Sequence, residues 1–265
     1  MKITKQYYNI WGECPTDLQD SYEWMERAGR VCYNSMDRIA PGTAKPFVNG
    51  CIKSGHMGVI EHSNFVIDGR YEDFEEVKYL NKGYLPINVS PCSFWGGNFR
   101  AWMEWFEFKT IEELYREFHQ ELNIPNKLKR ITVEIKTNRA ITHQIVRHRP
   151  CSFLQTSQRY VNQSNLEVIL PVDFYGKENG IPFEAWKRFM EASEENYRIQ
   201  MDYGRTKQAA RGVLTNDTAS TIIITADIPE WWWIFGLRVP ASADPQIRDL
   251  MIPLKEEFQS RGWVL

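Results

Sequence analysis

The sequence predicts an α+β fold, a twisted antiparallel sheet packed with helices, and three observations carry that expectation. Short β-branched runs read as strands at Ile131-Val133-Ile135, at Leu166 to Leu170 and at Thr221 to Thr225. Two stretches carry helical signals. Thr16 and Asp17 can cap a helix whose apolar positions Leu18, Tyr22, Met25 and Cys32 fall near one stripe, and residues 182 to 203 form a longer helix that ends at Gly204. The third observation is order: strand and helix do not alternate regularly, and no strand is followed by G-x-G-x-x-G, so a doubly wound dinucleotide-binding sheet is not expected.

A chain of 265 residues can bury a substantial core, and its 16 Gly and 13 Pro are scattered rather than gathered into a linker. One domain, residues 1–265, is therefore expected. The N-terminal MKITKQYYNIWGE lacks the apolar stretch of an export signal, and no apolar run approaches the roughly 18 residues of a membrane span. These features predict a soluble, cytoplasmic protein that does not enter a membrane. The five cysteines, at 14, 32, 51, 92 and 151, form no C-x-x-C pair, which argues against a disulfide framework and a structural zinc site.

Charge is concentrated in one place. From Ile135 to Asn165 there is no acidic residue, while Lys136, Arg139, Arg147, Arg149 and Arg159 add five positive charges to a chain of net charge −2. Within that stretch lies RHRPCSFLQTSQRY, residues 147–160. Guanidinium forks donate paired hydrogen bonds to phosphate or to a heterocycle carbonyl edge, so the stretch reads as an anion site. A solvated basic face gives the same charge pattern. Spacing favours the site, because Gln144, Arg147 and His148 fall at i, i+3 and i+4 and would share one face of a helix that Pro150 ends.

The pattern RHR, seven residues, Ser, then x-Arg-Tyr resembles the hallmark of the flavin-dependent thymidylate synthases. GRVCYNS at 29–35, GHMGVIEH at 55–62, AARGVL at 209–214, and GLR at 236–238 followed by DPQIRDLMIPL extend the resemblance over most of the chain. An insertion at about 69–129 interrupts it, and GGNFRAWMEW at 96–105 is similar to a segment of longer members. The resemblance implies the thymidylate synthase-complementing protein fold and a methyltransferase that converts dUMP to dTMP. It further implies 5,10-methylenetetrahydrofolate as one-carbon donor, NADPH as reductant through FAD, no enzyme nucleophile, and a homotetramer whose active sites are shared between chains.

Residue by residue, the resemblance assigns dUMP to Gln144, Arg147, Gln155, Ser157, Arg159, Arg211 and Arg238. Arg238 is the residue expected to activate the pyrimidine, since a fixed positive charge near O2 or O4 stabilises the base ionised at N3. His56, Gly58, Arg147, His148, Arg149, Gln155 and Asp227 are assigned to the flavin. Helix-terminal arginines also satisfy carbonyl groups, so Arg238 has a purely structural reading as well. Cys151 invites a nucleophile reading, but a small half-buried cysteine needs no chemistry to explain it. His56 with Glu61-His62 is spaced H-x4-E-H, which does not fit the known zinc-protease spacing, and no metal is expected.

The sequence departs from the family at 227–233, where Asp227, Pro229, Trp232 and Trp233 stand in place of the Asn, the Arg and the basic or polar residues of many members, several of which hold FAD. The Trp231-Trp232-Trp233 run can stack on an aromatic ring, or fill core or subunit interface, and Asn98 and Arg100 can supply equivalent contacts. Two other functions remain open. The scaffold can alkylate a different pyrimidine nucleotide, such as UMP, or hydroxymethylate it, because one contact to the 2′-hydroxyl decides between ribose and deoxyribose. The basic and aromatic stretch can instead bind single-stranded nucleic acid, although a pI near 6.3 and charge confined to one segment argue against a long nucleic-acid groove.

Overall fold

The computed structural model describes residues 1–68, 87–89 and 94–265 of the chain. Its strands in chain order are β1 (Lys2–Thr4), β2 (Tyr7–Glu13), β3 (Phe65–Asp68), β4 (Ile87–Val89), β5 (Phe94–Gly97), β6 (Arg130–Asn138), β7 (Ser152–Gln155), β8 (Glu167–Ile169) and β9 (Ala219–Asp227). Its α-helices are α1 (Leu18–Tyr33), α2 (Ala44–Lys53), α3 (Phe99–Phe106), α4 (Ile111–Glu117), α5 (Arg139–Ile145), α6 (Ile181–Asp202), α7 (Lys207–Ala210), α8 (Ile228–Arg238) and α9 (Pro245–Ser260). The architecture is α+β, as the sequence predicts. Of the expected insertion, residues 69–86 and 90–93 lie outside the described residues.

A four-stranded antiparallel sheet, in the order β2-β6-β9-β7, is the scaffold of the site. Alternation along β6 and β9 sends Ile131, Val133, Ile135, Ile222 and Ile224 to one face, where α5, α8 and α9 cover them. Burial of this kind is the main favourable term, and truncating any one of these isoleucines to Ala costs about 2–5 kcal/mol. The opposite face holds Ile223 against Ala28 and Val31 of α1. It also holds a polar cluster: Thr132 and Thr225 hydroxyls lie 2.7 Å apart, His62 Nδ1 is 2.8 Å from Thr225 Oγ1, and Trp24 Nε1 donates to Thr132 at 3.1 Å.

Local chemistry sets the element ends. Asp17, rather than Thr16, caps α1 by accepting from the N–H groups of Gln19 and Asp20, and Asn34 closes the helix in the left-handed conformation at φ 50°. The register of β2 against β6 shifts between Ile10 and Gly12, and the φ of +122° at Gly12 is one that only glycine adopts freely. The expected strand at Leu166 to Leu170 forms as β8, but it pairs parallel with β1 and reaches the main sheet only through a bridge from Val168 to Thr218. A second core, built from α1, α2, β3, β5, α3 and α4, centres on Phe65, Phe99 and Trp102, with the antiparallel set β3-β5-β4 at its edge.

Candidate functional site

The basic stretch emerges from the edge of the main sheet. Asn138 ends β6 and caps α5, its Oδ1 accepting from Ile141 N–H at 2.9 Å. The helix then stops at Ile145, five residues before Pro150. Gln144 alone of the three residues expected on one helical face is therefore helical, and that expectation is corrected. Two successive turns follow, closed by His148 N–H to Ile145 O at 3.1 Å and Cys151 N–H to His148 O at 3.2 Å. They turn His148 inward, where it is 5% exposed, and leave Arg147 and Arg149 exposed on either side.

A tertiary contact accompanies the early stop. Arg238, at the C-terminal end of α8, donates Nη2–H to the Gln144 carbonyl at 3.0 Å and Nε–H to His148 Nε2 at 3.1 Å. The guanidinium thus takes a carbonyl that the end of α5 leaves open. Because His148 Nε2 accepts, its proton sits on Nδ1 and the ring is neutral. Burial, and then the Arg238 charge, hold its pKa down to about 4. Gln144 is oriented from its other end, its amide donating to Asp244 Oδ2 at 2.8 Å.

One carboxyl that the sequence reading passed over faces this group. Glu230, in the first turn of α8, lies 3.9 Å from His148 Nδ1 and 4.0 Å from Cys151 Sγ, with its side chain 14% exposed. Burial, with the Asp227 charge behind it, raises its pKa to about 7. Asp227 itself caps α8, accepting from Glu230 N–H at 2.8 Å. Burial and the same two carboxylates push the Cys151 thiol well above its ordinary value, so it stays protonated and is a poor nucleophile.

The other predicted nucleotide residues gather at the opposite end of α5. Arg159 donates Nε–H to Gln208 Oε1 at 2.9 Å, and Lys207 donates to the Tyr160 carbonyl at 2.8 Å, so the motif's end is clasped to α7. Arg211 follows α7 directly and sits close enough to Arg139, the first residue of α5, to lower the pKa of Arg139 after burial has done so. Ser157 N–H bonds the Cys32 carbonyl at 3.1 Å, and Gln155 gives its amide to Thr142 Oγ1 at 2.8 Å and Ser220 Oγ at 2.9 Å. Within one chain, then, Arg238 serves one end of α5 and Arg211 the other. Seven residues of helix separate these ends by about 10 Å.

His56 is exposed, with Nδ1 3.0 Å from Tyr33 Oη, and the Tyr33 and Tyr160 rings are 5.9 Å apart. Gly58 lies in the turn after it, where an added Cβ would meet only Leu154 at an ordinary 3.8 Å, so nothing in the protein demands glycine there. Glu61 pairs with Arg100 at 2.8 Å while His62 faces inward to Thr225, so His56, Glu61 and His62 share no point at which a metal would sit. Asn98 caps α3 and Arg100 also pairs with Glu104 at 2.7 Å. In the tryptophan run, Trp231 is core, Trp232 gives its N–H to Trp263 O at 2.8 Å, and Trp233 is 62% exposed. A cavity of about 560 Å³ lies elsewhere, lined by Glu13, Cys14, Asn64, Lys129 and Arg130, and includes none of the residues assigned above.

The family described as thymidylate synthase complementing protein matches residues 109–261 of the chain. A protein of Pyrococcus abyssi named flavin-dependent thymidylate synthase is 32% identical over 126 residues, 47% of this chain and 52% of that relative. Proteins of the same name from Corynebacterium glutamicum and Corynebacterium diphtheriae are 22% and 24% identical over 93% and 92% of the chain, covering 79% and 77% of their own lengths. The chain thus spans about half the length of the archaeal relative it matches and about four-fifths of the two bacterial ones. No helix among the described residues is long and apolar enough to cross a membrane.

Proposed function

Since the chain belongs to the thymidylate synthase complementing protein family, we propose that it is a flavin-dependent thymidylate synthase, methylating dUMP at C5 with 5,10-methylenetetrahydrofolate and NADPH. The observation that carries the reading is the Arg238 guanidinium, fixed by two hydrogen bonds beside the exposed Arg147 and Arg149. Pre-positioned positive charge of this kind stabilises an electron-rich uracil without reorganisation during the reaction. Arg159, Arg211 and Ser157 supply the donors that a phosphate and sugar require.

The donor set also fits a flavin in part. Arg147 and Arg149 form no ion pair among the described residues and flank the buried His148, an arrangement suited to a ligand with a pyrophosphate and an electron-accepting ring. Asp227, Pro229, Trp232 and Trp233 do not fit the adenine end, because Asp227 is engaged as a cap and Trp232 has spent its N–H on Trp263. When bound, FAD supplies the hydride; the chain's residues bind the nucleotide, hold the activating charge and keep Cys151 protonated.

A homotetramer with shared sites accords with the division of the nucleotide residues between the two ends of α5. The end that lacks Arg211 in one chain is completed by the Arg211 end of another. Trp233 and Leu237, exposed at 62% and 48% one turn apart beside Arg238, offer the apolar contact such an interface needs. The chain is read as one domain over 1–265, working on small molecules in the cytoplasm.

The test is direct. Purified protein should carry flavin absorbance that bleaches with NADPH, and it should release tritium from C5-labelled dUMP. Release from UMP and not from dUMP would select the ribonucleotide reading, and a colourless protein that binds single-stranded oligonucleotide would overturn the enzyme reading altogether.

A further inference from the structure

We propose that Glu230 is a positioning residue for Arg238, acting through His148: its carboxylate takes the Nδ1–H edge of the imidazole, which leaves the Nε2 lone pair to receive Arg238 Nε–H. The role of Arg238 toward a uracil rests on the function proposed above; the relay itself does not.

Geometry carries the argument. Arg238 Nε lies 3.1 Å from His148 Nε2, and a guanidinium nitrogen only donates, so the imidazole must present a bare Nε2 and a protonated Nδ1. Nothing about histidine alone selects that tautomer; the groups facing its two nitrogens do, Arg238 at Nε2 and a second group at Nδ1. That group is Glu230, 3.9 Å away and 14% exposed. In a D-x-x-E helix start the glutamate commonly turns back to close a capping box on the first residue. Here Asp227 caps Glu230 N–H at 2.8 Å, while the Glu230 carboxyl faces His148 and Cys151 instead.

At 3.9 Å the contact is longer than a hydrogen bond, and a shift of about 1 Å closes it. Ionisation supplies the pull. The charged or titratable groups of the cluster are Asp227 at the end of β9, which acts on the carboxyl, His148 and Cys151 in the turns after α5, which face it, Arg130 of β6, which acts on Cys151, and Arg238 at the far end of α8, which acts on His148. Burial, and then the Asp227 charge, favour the neutral acid, so the carboxyl changes state near neutral pH, about 7. Above that pH the anion anchors Nδ1–H and Arg238 is held from both sides. Below it the tautomer is less constrained and Arg238 keeps only the Gln144 carbonyl.

Full-length protein labelled with 15N-histidine reads the tautomer without reference to turnover, and a His148→Gln variant assigns the resonance. In wild type at pH 8 the proton is expected on Nδ1, with the signal moving as the pH falls through about 7. Glu230→Gln should keep Nδ1–H, because the amide oxygen still accepts, but lose that pH transition. Glu230→Leu should mix the tautomers and weaken dUMP binding by about tenfold.

A wild-type proton on Nε2 overturns the relay, as does a His148 resonance with the same tautomer and titration in wild type and Glu230→Gln. Should the Leu variant not fold, the Gln comparison decides alone. A tautomer that follows Glu230 in a protein with no affinity for dUMP upholds the relay and sinks the proposed substrate.

Discussion

Arg238 and His148 lie 90 residues apart and share a hydrogen bond of 3.1 Å, while the same guanidinium reaches the Gln144 carbonyl at 3.0 Å. One side chain therefore joins the end of α8 to the end of α5 and to the turn that carries Arg147 and Arg149. On the proposed function, the helix-terminal arginine that satisfies a carbonyl is also the arginine assigned to activate the substrate. The structural contact is what fixes the position of that charge.

Arg238→Lys keeps the charge but cannot span both acceptors, since an ammonium lacks the planar fork. Its kcat/KM is expected to fall by about a hundredfold, near 3 kcal/mol of transition-state stabilisation, with Tm little changed. Arg238→Ala should abolish turnover while flavin remains bound. Steady-state kinetics with the flavin spectrum as control measures both, and wild-type turnover in the alanine variant would remove the activation role.

Cys151 sits inside the motif, yet burial beside Glu230 and Asp227 keeps its thiol protonated. Cys151→Ala is expected to retain turnover within about tenfold, a barrier change near 1.4 kcal/mol. Complete loss of turnover in a folded Cys151→Ala protein would restore a thiolate mechanism.

Much of the fold was legible because its signals are local. β-branched runs announced β6 and β9, Asp17 announced the start of α1, and Gly204, at φ +79°, the end of α6. The end of α5 is not legible: Pro150 predicts a later terminator, but the helix stops at Ile145 and its open Gln144 carbonyl is taken by a residue 94 positions away. Glu230 was missed for a related reason. Asp227-x-x-Glu230 reads locally as a helix start, whereas the raised carboxyl depends on burial and on the Asp227 charge, and the group it faces, His148, is 82 residues distant in sequence. In the tryptophan run, only the helical phase of α8 separates the core Trp231 from the exposed Trp233.

Stability should fall in acid, and the sign follows from three groups. The folded pKa values of His62, about 3, and His148, about 4, lie below the usual 6.5, so the unfolded chain binds more protons between these values and stability drops as pH falls below 6.5. From pH 6.5 to 5 each imidazole accounts for about 2 kcal/mol. Glu230, raised from 4.5 to about 7, acts in the opposite sense and gains stability over the same fall in pH. Glu230→Gln should therefore be more stable than wild type at pH 8 and lose stability more steeply in acid. Urea midpoints at pH 8, 6.5 and 5 check this, and parallel curves for the two proteins would mean that Glu230 titrates normally.

Trp231 and Trp233 separate folding from assembly. Trp231 is fully buried and donates Nε1–H to the Ile131 carbonyl at 3.0 Å, so Trp231→Ala leaves a cavity and removes that hydrogen bond at a cost of about 3–5 kcal/mol. Trp233 is 62% exposed, and as a surface residue of a lone chain its loss would change stability by no more than about 0.5 kcal/mol. If its face meets another copy beside Arg238, Trp233→Ala should instead lower the oligomeric mass in light scattering and reduce dUMP binding together, with the far-ultraviolet spectrum intact. An unchanged mass with unchanged binding would place the subunit contact elsewhere, and the completion of the site by a second chain would then have to run through the α7 end of the motif.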